Sequence, residues 1–172
     1  PSDPLVWATS QITDEIPDFS FKGKIYSEKE LRKHYREWVF NDRKKLRKKF
    51  KKDKKGYKSA KNKLRADTGQ KFWRNLELAI RHKEATMGSH PVLAKLWYFW
   101  GNHFTISDKD FLSHYTTGAY QRETIRLNMN QTFEKLAHEA TVAWAMIHHL
   151  DNAVNVGPKS EDAKADWRKR KK

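Results

Sequence analysis

Apolar residues recur with a helical period in most segments of the chain. The longest such pattern covers positions 27–66, where apolar residues follow one another at steps of three or four or at sums of these steps. The residues are Leu31, Tyr35, Trp38, Val39, Leu46, Phe50, Tyr57, Ala60 and Leu64. Ser27 and Glu30 form a capping box at the start, whereas Asp42 and Asp53 interrupt the apolar stripe. The pattern predicts one helix of about 60 Å at 1.5 Å per residue, which is longer than the core of so small a domain requires.

The remainder of the sequence also predicts helices. They are expected over 69–86, 90–102, 108–115 and 120–128, and Thr132 caps a last long helix that continues to Leu150. The segment from Val92 to Trp100 is apolar on nearly every side, so it should be the most buried helix. Only 7 Gly and 5 Pro occur, which favours long helices over many short strands. The predicted fold is all-α, an irregular helical bundle with one long, strongly basic projecting helix.

Four regions follow from these patterns. We expect a mostly irregular N-terminal segment at 1–26, the long basic helix at 27–66, a helical core domain at 67–160 and a basic C-terminal tail at 161–172.

The positive charge is concentrated in one region. The chain has 36 Lys and Arg against 21 Asp and Glu, a net charge of +15, and the window from Lys22 to Arg65 carries the whole excess. Its centre, from Arg43 to Lys55, reads RKKLRKKFKKDKK. A second basic run closes the chain at 168–172. Such a density of cations is typical of contact with a polyanion such as nucleic acid, anionic lipid or acidic polysaccharide, or of a solvated arm.

Several classes of chemistry are excluded by composition. The chain has no Cys, so it has no disulfide, thiol nucleophile or Cys-bound metal of its own. No apolar run is long enough to predict a transmembrane helix, and the first ten residues do not resemble an export signal. No Ser-His-Asp order, Gly-rich phosphate loop or H-E-x-x-H motif is present.

Three segments resemble one bacterial family closely. They are FWGNHFTIS at 99–107, AYQRETIRLNMNQTFEKLAHEAT at 119–141 and MIHHLDNAVNVGPKS at 146–160. They are similar to the "FW-x-NHF-x-x-S", "Y-x-R-x-x-IR" and "LDN…GP-x-S" segments of the domain of unknown function DUF1800. The opening DPLVWATSQI also resembles an early segment of that family.

The resemblance carries expectations about the whole protein. Family members continue after "GP-x-S" into a helix with Glu and His residues, whereas this chain ends in ADWRKRKK, so the sequence resembles the N-terminal half of a longer member. Members are often exported, which implies a role in the bacterial envelope or periplasm. The partner would then be another protein or the rest of the same longer chain.

A first group of candidate site residues surrounds the end of the apolar helix and the end of the last helix. His103 and Asp151 are candidates for catalysis, and together with His149 they are candidate metal ligands. Asn102 and Asn152 are candidates for ligand binding. The alternative interpretation is structural, with Asn102 and His103 capping a helix and Asp151 and Asn152 forming a turn. A cofactor is not identifiable from these residues.

A second group of candidates consists of cations. Arg122 and Arg126 are one helical turn apart and could clamp an anion, or they could bridge helices through acidic residues. The candidates for polyanion binding are Arg43, Lys44, Lys45, Arg47, Lys48, Lys49, Lys51 and Lys52. Three functions stay open at this point: a scaffold or binding part of a larger envelope or surface protein, an enzyme whose His and Asp site is completed by a C-terminal half, and a polyanion-binding module.

Overall fold

The described residues of the computed structural model form helices and no strand. The structure describes residues 3–13, 15–18, 21–37, 41–67, 70–108, 112–152 and 155–164. The α-helices are α1 (Pro4–Thr9), α2 (Glu28–Glu37), α3 (Arg43–Lys49), α4 (Lys54–Asp67), α5 (Gln70–Met87), α6 (Pro91–His103), α7 (Ser113–Tyr120), α8 (Phe133–Val142) and α9 (Trp144–His149). A π-helical turn (Gln121–Arg126) follows α7 directly. The all-α prediction is confirmed.

The centre of the bundle is α7, which packs against α2, α5 and α9. On one side, Tyr115 and Ala119 of α7 form a small core with Leu31 of α2. On the other side, a larger core joins α6, the π-helical turn, α8 and α9. Its buried members are Leu93, Trp97, Ile106, Tyr120, Ile125, Met129, Leu136, Ala140, Ala145 and Met146.

The prediction that the segment from Val92 to Trp100 forms the most buried helix is wrong. Trp97 is buried, but Phe99 in the same helix is 59% exposed. Five of the eight residues of α7 are buried, whereas α6 buries four of thirteen. The reason is close packing, because a Cβ built on Gly118 would lie 2.4 Å from the Cβ of Glu77 in α5. Glycine at position 118 lets α7 and α5 approach closely. The periodicity of apolar residues cannot predict this contact, because glycine has no apolar side chain.

The prediction of one helix over 27–66 is also wrong, because the helix ends at Lys49 and a second one starts at Lys54. Residues 50–53 form a turn between α3 and α4, and the backbone N–H of Gly56 donates to Asp53 Oδ1 at 2.8 Å. Asp53 therefore starts a new helix. Repulsion between like charges four residues apart weakens a continuous helix here. Trp38 and Val39, which belong to the predicted apolar stripe, lie outside the described residues, as does the basic run at 168–172.

The start of α2 matches the predicted capping box. The backbone N–H of Ser27 donates to Glu30 Oε2 at 2.9 Å, and the backbone N–H of Glu30 donates to the hydroxyl of Ser27 at 3.2 Å. Thr132 caps α8 as predicted, by accepting from the backbone N–H of Lys135. The last helix is not continuous to Leu150, however, because Ala143 has an extended backbone and separates α8 from α9. The helices predicted over 108–115 and 120–128 are replaced by α7 and the π-helical turn.

Candidate functional site

Arg122 forms a buried ion pair between helices. From the π-helical turn its guanidinium donates to Glu77 Oε1 of α5, with Nη2 at 3.0 Å and Nε at 3.1 Å. Nη1 also donates to Glu123 at 2.9 Å, and Nη2 donates to the backbone carbonyl of Tyr26 at 2.7 Å. Burial raises the pKa of Glu77, while hydrogen bonds from Arg122 act in the opposite direction. Arg122 therefore bridges α5, the π-helical turn and the segment before α2.

Arg126 has different partners from Arg122. Its Nη2 donates to the backbone carbonyl of Pro17, and its guanidinium lies over the Trp97 ring at 5.5 Å from the ring centroid. Burial lowers the pKa of Arg126, and the carboxylates of Glu84 and Asp18 partly offset this. The side chain forms one wall of a cavity of about 320 Å³ between the end of α5 and the start of α6.

His103 lies among aromatic rings at the exposed end of α6. Its ring stacks on Phe99 with 6.5 Å between centroids and meets Phe104 edge to face at 4.8 Å. The Phe133 ring of α8 lies edge to face with the His103 ring, with 6.3 Å between the centroids. Phe99 and Phe133 are each 59% exposed, so the cluster forms part of the molecular surface.

The candidates near the end of α9 belong to a turn. His149 Nδ1 accepts from the backbone N–H of Ser107 at 3.2 Å. Asp151 has a φ of 58°, a left-handed conformation that Asp tolerates better than most residues. Asn152 is exposed and accepts a hydrogen bond from the amide of Asn155. Within the part of the chain that the structure describes, no group of three or more His, Asp or Glu side chains could hold a metal ion.

The basic candidates lie on two helices that pack on each other. We call residues 43–67, which comprise α3, the turn and α4, the basic hairpin. Tyr57 of α4 contacts α3, where interaction with Arg43, and less strongly with Arg47, lowers the pKa of the Tyr57 hydroxyl. The exposed cations are Lys44, Lys45, Arg47, Lys48, Lys49, Lys51, Lys52, Lys54, Lys55, Lys58 and Lys63. Among the described residues, none of these eleven side chains forms an ion pair.

A cavity of about 190 Å³ between α5, α6 and α7 was not predicted as a site. Among the described residues that line it, Asn102 is the only one that the sequence analysis named as a candidate. Asp108 lies at its edge, where it pairs with Arg74 at 2.8 Å and with His114. Gln121 and Arg81 contribute further polar groups. These residues come from distant segments and share no motif, so only the helix packing brings them together.

A family model described as "Protein of unknown function (DUF1800)" matches residues 7–162. The chain belongs to this family. The DUF1800 match includes the basic hairpin as well as the helices that pack around α7. No curated protein and no solved structure matches the chain. In the described part of this DUF1800 domain, no helix is both long enough and apolar enough to span a membrane.

Proposed function

We propose that this DUF1800 domain is a binding part of a larger envelope or surface protein, and that the basic hairpin is its contact with a polyanion. The envelope location rests on the resemblance to exported members of the family. The polyanion contact rests on the structure of the hairpin.

The observation that carries the proposal is the row of exposed cations without acidic partners. A cation that is already paired within the protein gains little from an external anion, because it would have to leave its partner. The eleven exposed cations of the hairpin have no such competitor among the described residues. A polyanion that neutralises them releases its condensed counterions, which is the main source of sequence-independent affinity for charged polymers.

The shape of the hairpin supports the same contact. The turn at Asp53 folds the basic sequence into two short helices, so the cations are displayed on both of them. The ammonium of Lys49 lies 5.6 Å from the centre of the Phe50 ring, and that of Lys61 lies 5.9 Å from the centre of the Tyr57 ring. The two rings lie beside these ammonium groups, and Lys49 stays exposed as the neighbouring cations do.

The test compares two variants with the same change in net charge. The first carries Lys44→Gln, Lys45→Gln, Lys51→Gln and Lys52→Gln. The control carries Lys29→Gln, Lys33→Gln, Lys95→Gln and Lys159→Gln, which are all exposed and lie outside the hairpin. Binding of the full chain to heparin, duplex DNA and anionic vesicles is measured at two or more salt concentrations.

We expect the hairpin variant to bind each polyanion more weakly than the control variant. With about five phosphates engaged on duplex DNA, the slope of log K against log salt should be near −4.5 for the unaltered chain, at about −0.9 per phosphate. Each phosphate that the variant no longer engages should make this slope less steep by about 0.9. Equal decreases in affinity for the two variants would show that net charge, and not the hairpin, controls binding. If none of the three probes binds at low salt, the proposal is wrong.

A further inference from the structure

The side chain of Gln121 is buried with only one of its two polar groups bonded. It is 8% exposed and lies in the π-helical turn, where its backbone carbonyl accepts from the indole N–H of Trp97 at 2.8 Å. Its Nε2 donates to the backbone carbonyl of Gly101 at 3.2 Å. This bond fixes the orientation of the amide, and Oε1 is left as a buried acceptor without a hydrogen-bond partner. Buried acceptors are almost always satisfied, so an unpaired one requires an explanation.

Gln121 is one of the residues that line the cavity of about 190 Å³ between α5, α6 and α7. A Cβ built on Gly101 would lie 2.3 Å from Gln121 Oε1 and 3.5 Å from Arg81 Nη1. The two groups therefore approach the same point from different helices. Glycine at position 101 permits this close approach, since any side chain there would collide with the amide.

Arg81 brings an uncompensated positive charge to the same cavity. Its guanidinium lies over the Tyr98 ring, 4.6 Å from the centroid, which fixes its position. The other charged groups that line the cavity have partners. Glu77 pairs with Arg122, and Asp108 pairs with Arg74 and His114. In the described part of the chain, Arg81 has no acidic partner of its own.

We propose that this cavity binds a small carboxylate that also carries a hydrogen-bond donor, such as a hydroxy acid or an amino acid. The carboxylate pairs with Arg81, whose guanidinium fork suits two oxygen atoms. The donor satisfies Gln121 Oε1. The volume corresponds to about six water molecules at roughly 30 Å³ each, so the ligand has about six to ten non-hydrogen atoms.

Three ligands that differ only in the group on their third carbon test this site. Propionate, 3-hydroxypropionate and β-alanine have the same carboxylate, and their third carbon carries a hydrogen, a hydroxyl or an ammonium group respectively. Each is titrated into the full chain, and affinity is read from amide chemical shifts by NMR. We expect the better of the two donor ligands to bind about tenfold more tightly than propionate, as one added hydrogen bond of about 1.4 kcal/mol gives. The ranking of hydroxyl and ammonium identifies the class of ligand.

Two variants assign the contacts. Gln121→Leu should reduce the affinity of the better donor ligand to that of propionate, while propionate itself changes little. Arg81→Met keeps the aliphatic stem and should weaken all three ligands. Arg36→Met, an exposed arginine on α2, is the control and should change none of them.

The proposal is wrong if no ligand shifts the amides around the cavity at millimolar concentration. It is also wrong if propionate binds the unaltered chain as tightly as both donor ligands. This second result does not depend on any variant folding. Heparin or DNA binding by the basic hairpin does not enter either result, so the two proposals can fail separately.

Discussion

The basic hairpin and the contact between α5 and the π-helical turn differ in whether their charged side chains are paired. In the hairpin, eleven exposed cations have no ion-pair partner among the described residues. In the contact around Arg122, the side chains of Arg122 and Glu77 are only 13% and 8% exposed, and each is the partner of the other. A charge in water can remain single, whereas a charge removed from water has to be paired.

This difference indicates what each region does. The paired charges hold three segments of the chain together, and each is already compensated within the protein. The unpaired cations of the hairpin are exposed, so a binding partner can reach them. They contribute little to the stability of the fold. Substitutions in the two regions should therefore separate stability from binding.

The largest effect on stability is expected for Arg122→Met. The variant leaves the Glu77 carboxylate buried without its cation and should lower the free energy of unfolding by about 3–5 kcal/mol. Urea denaturation followed by circular dichroism measures this. Combining Arg122→Met with Glu77→Gln removes the unpaired charge, so the double variant should be more stable than Arg122→Met alone. A decrease below about 1 kcal/mol for Arg122→Met would contradict the buried pair, since exposed pairs contribute that little.

A medium effect is expected for Gly118→Ala at the contact between α7 and α5. The added methyl would meet the Cβ and Cγ atoms of Glu77 at 2.4 Å, and the helices would have to separate. We expect a decrease of about 1–3 kcal/mol in the free energy of unfolding, as is usual for overpacking. Gly157→Ala is the matched control, because a Cβ there has no atom within 4 Å. Equal stabilities of the two variants would show that α7 does not depend on this close approach.

The smallest effect on stability is expected for the four hairpin substitutions Lys44→Gln, Lys45→Gln, Lys51→Gln and Lys52→Gln. Each replaces an exposed side chain without a partner, so each should change the free energy of unfolding by less than about 0.5 kcal/mol. The sign should be stabilising, because repulsion within the hairpin decreases. The thermal midpoint at low and high salt measures both the size and the salt dependence. A decrease of more than about 1 kcal/mol in the free energy of unfolding for any one of these substitutions would contradict the view that the hairpin contributes little to the core.

The sequence predicted those features that depend on neighbouring residues. The all-helical fold, the capping box of Ser27 and Glu30 and the cap at Thr132 all follow from spacings of three or four residues. The break at Asp53 was visible only as an interruption of the apolar stripe. A capping Asp and a solvated Asp in a long helix give the same pattern, and the choice between them depends on the surrounding charge.

The features that depend on distant residues were not predictable. The burial of α7 comes from Gly118 against Glu77, a close approach that hydrophobicity does not detect. The cavity lined by Gln121 and Arg81 forms only when α5, α6 and α7 have packed together, so no local sequence pattern predicts it. The bridging alternative for Arg122 was open from the sequence, but its partners Glu77 and Tyr26 lie 45 and 96 residues away.

The basic hairpin lies between α2 and α5, and this position determines how much a change in its length would cost in stability. Both flanking helices pack on α7, so their positions are set by α7 and not by the segment that joins them. The hairpin is therefore a connection that closes a loop on a fixed frame. The entropy of closing such a loop grows only with the logarithm of its length, at about 0.6 kcal/mol for each doubling. Lengthening or shortening this segment should therefore cost little stability while the frame around α7 stays intact.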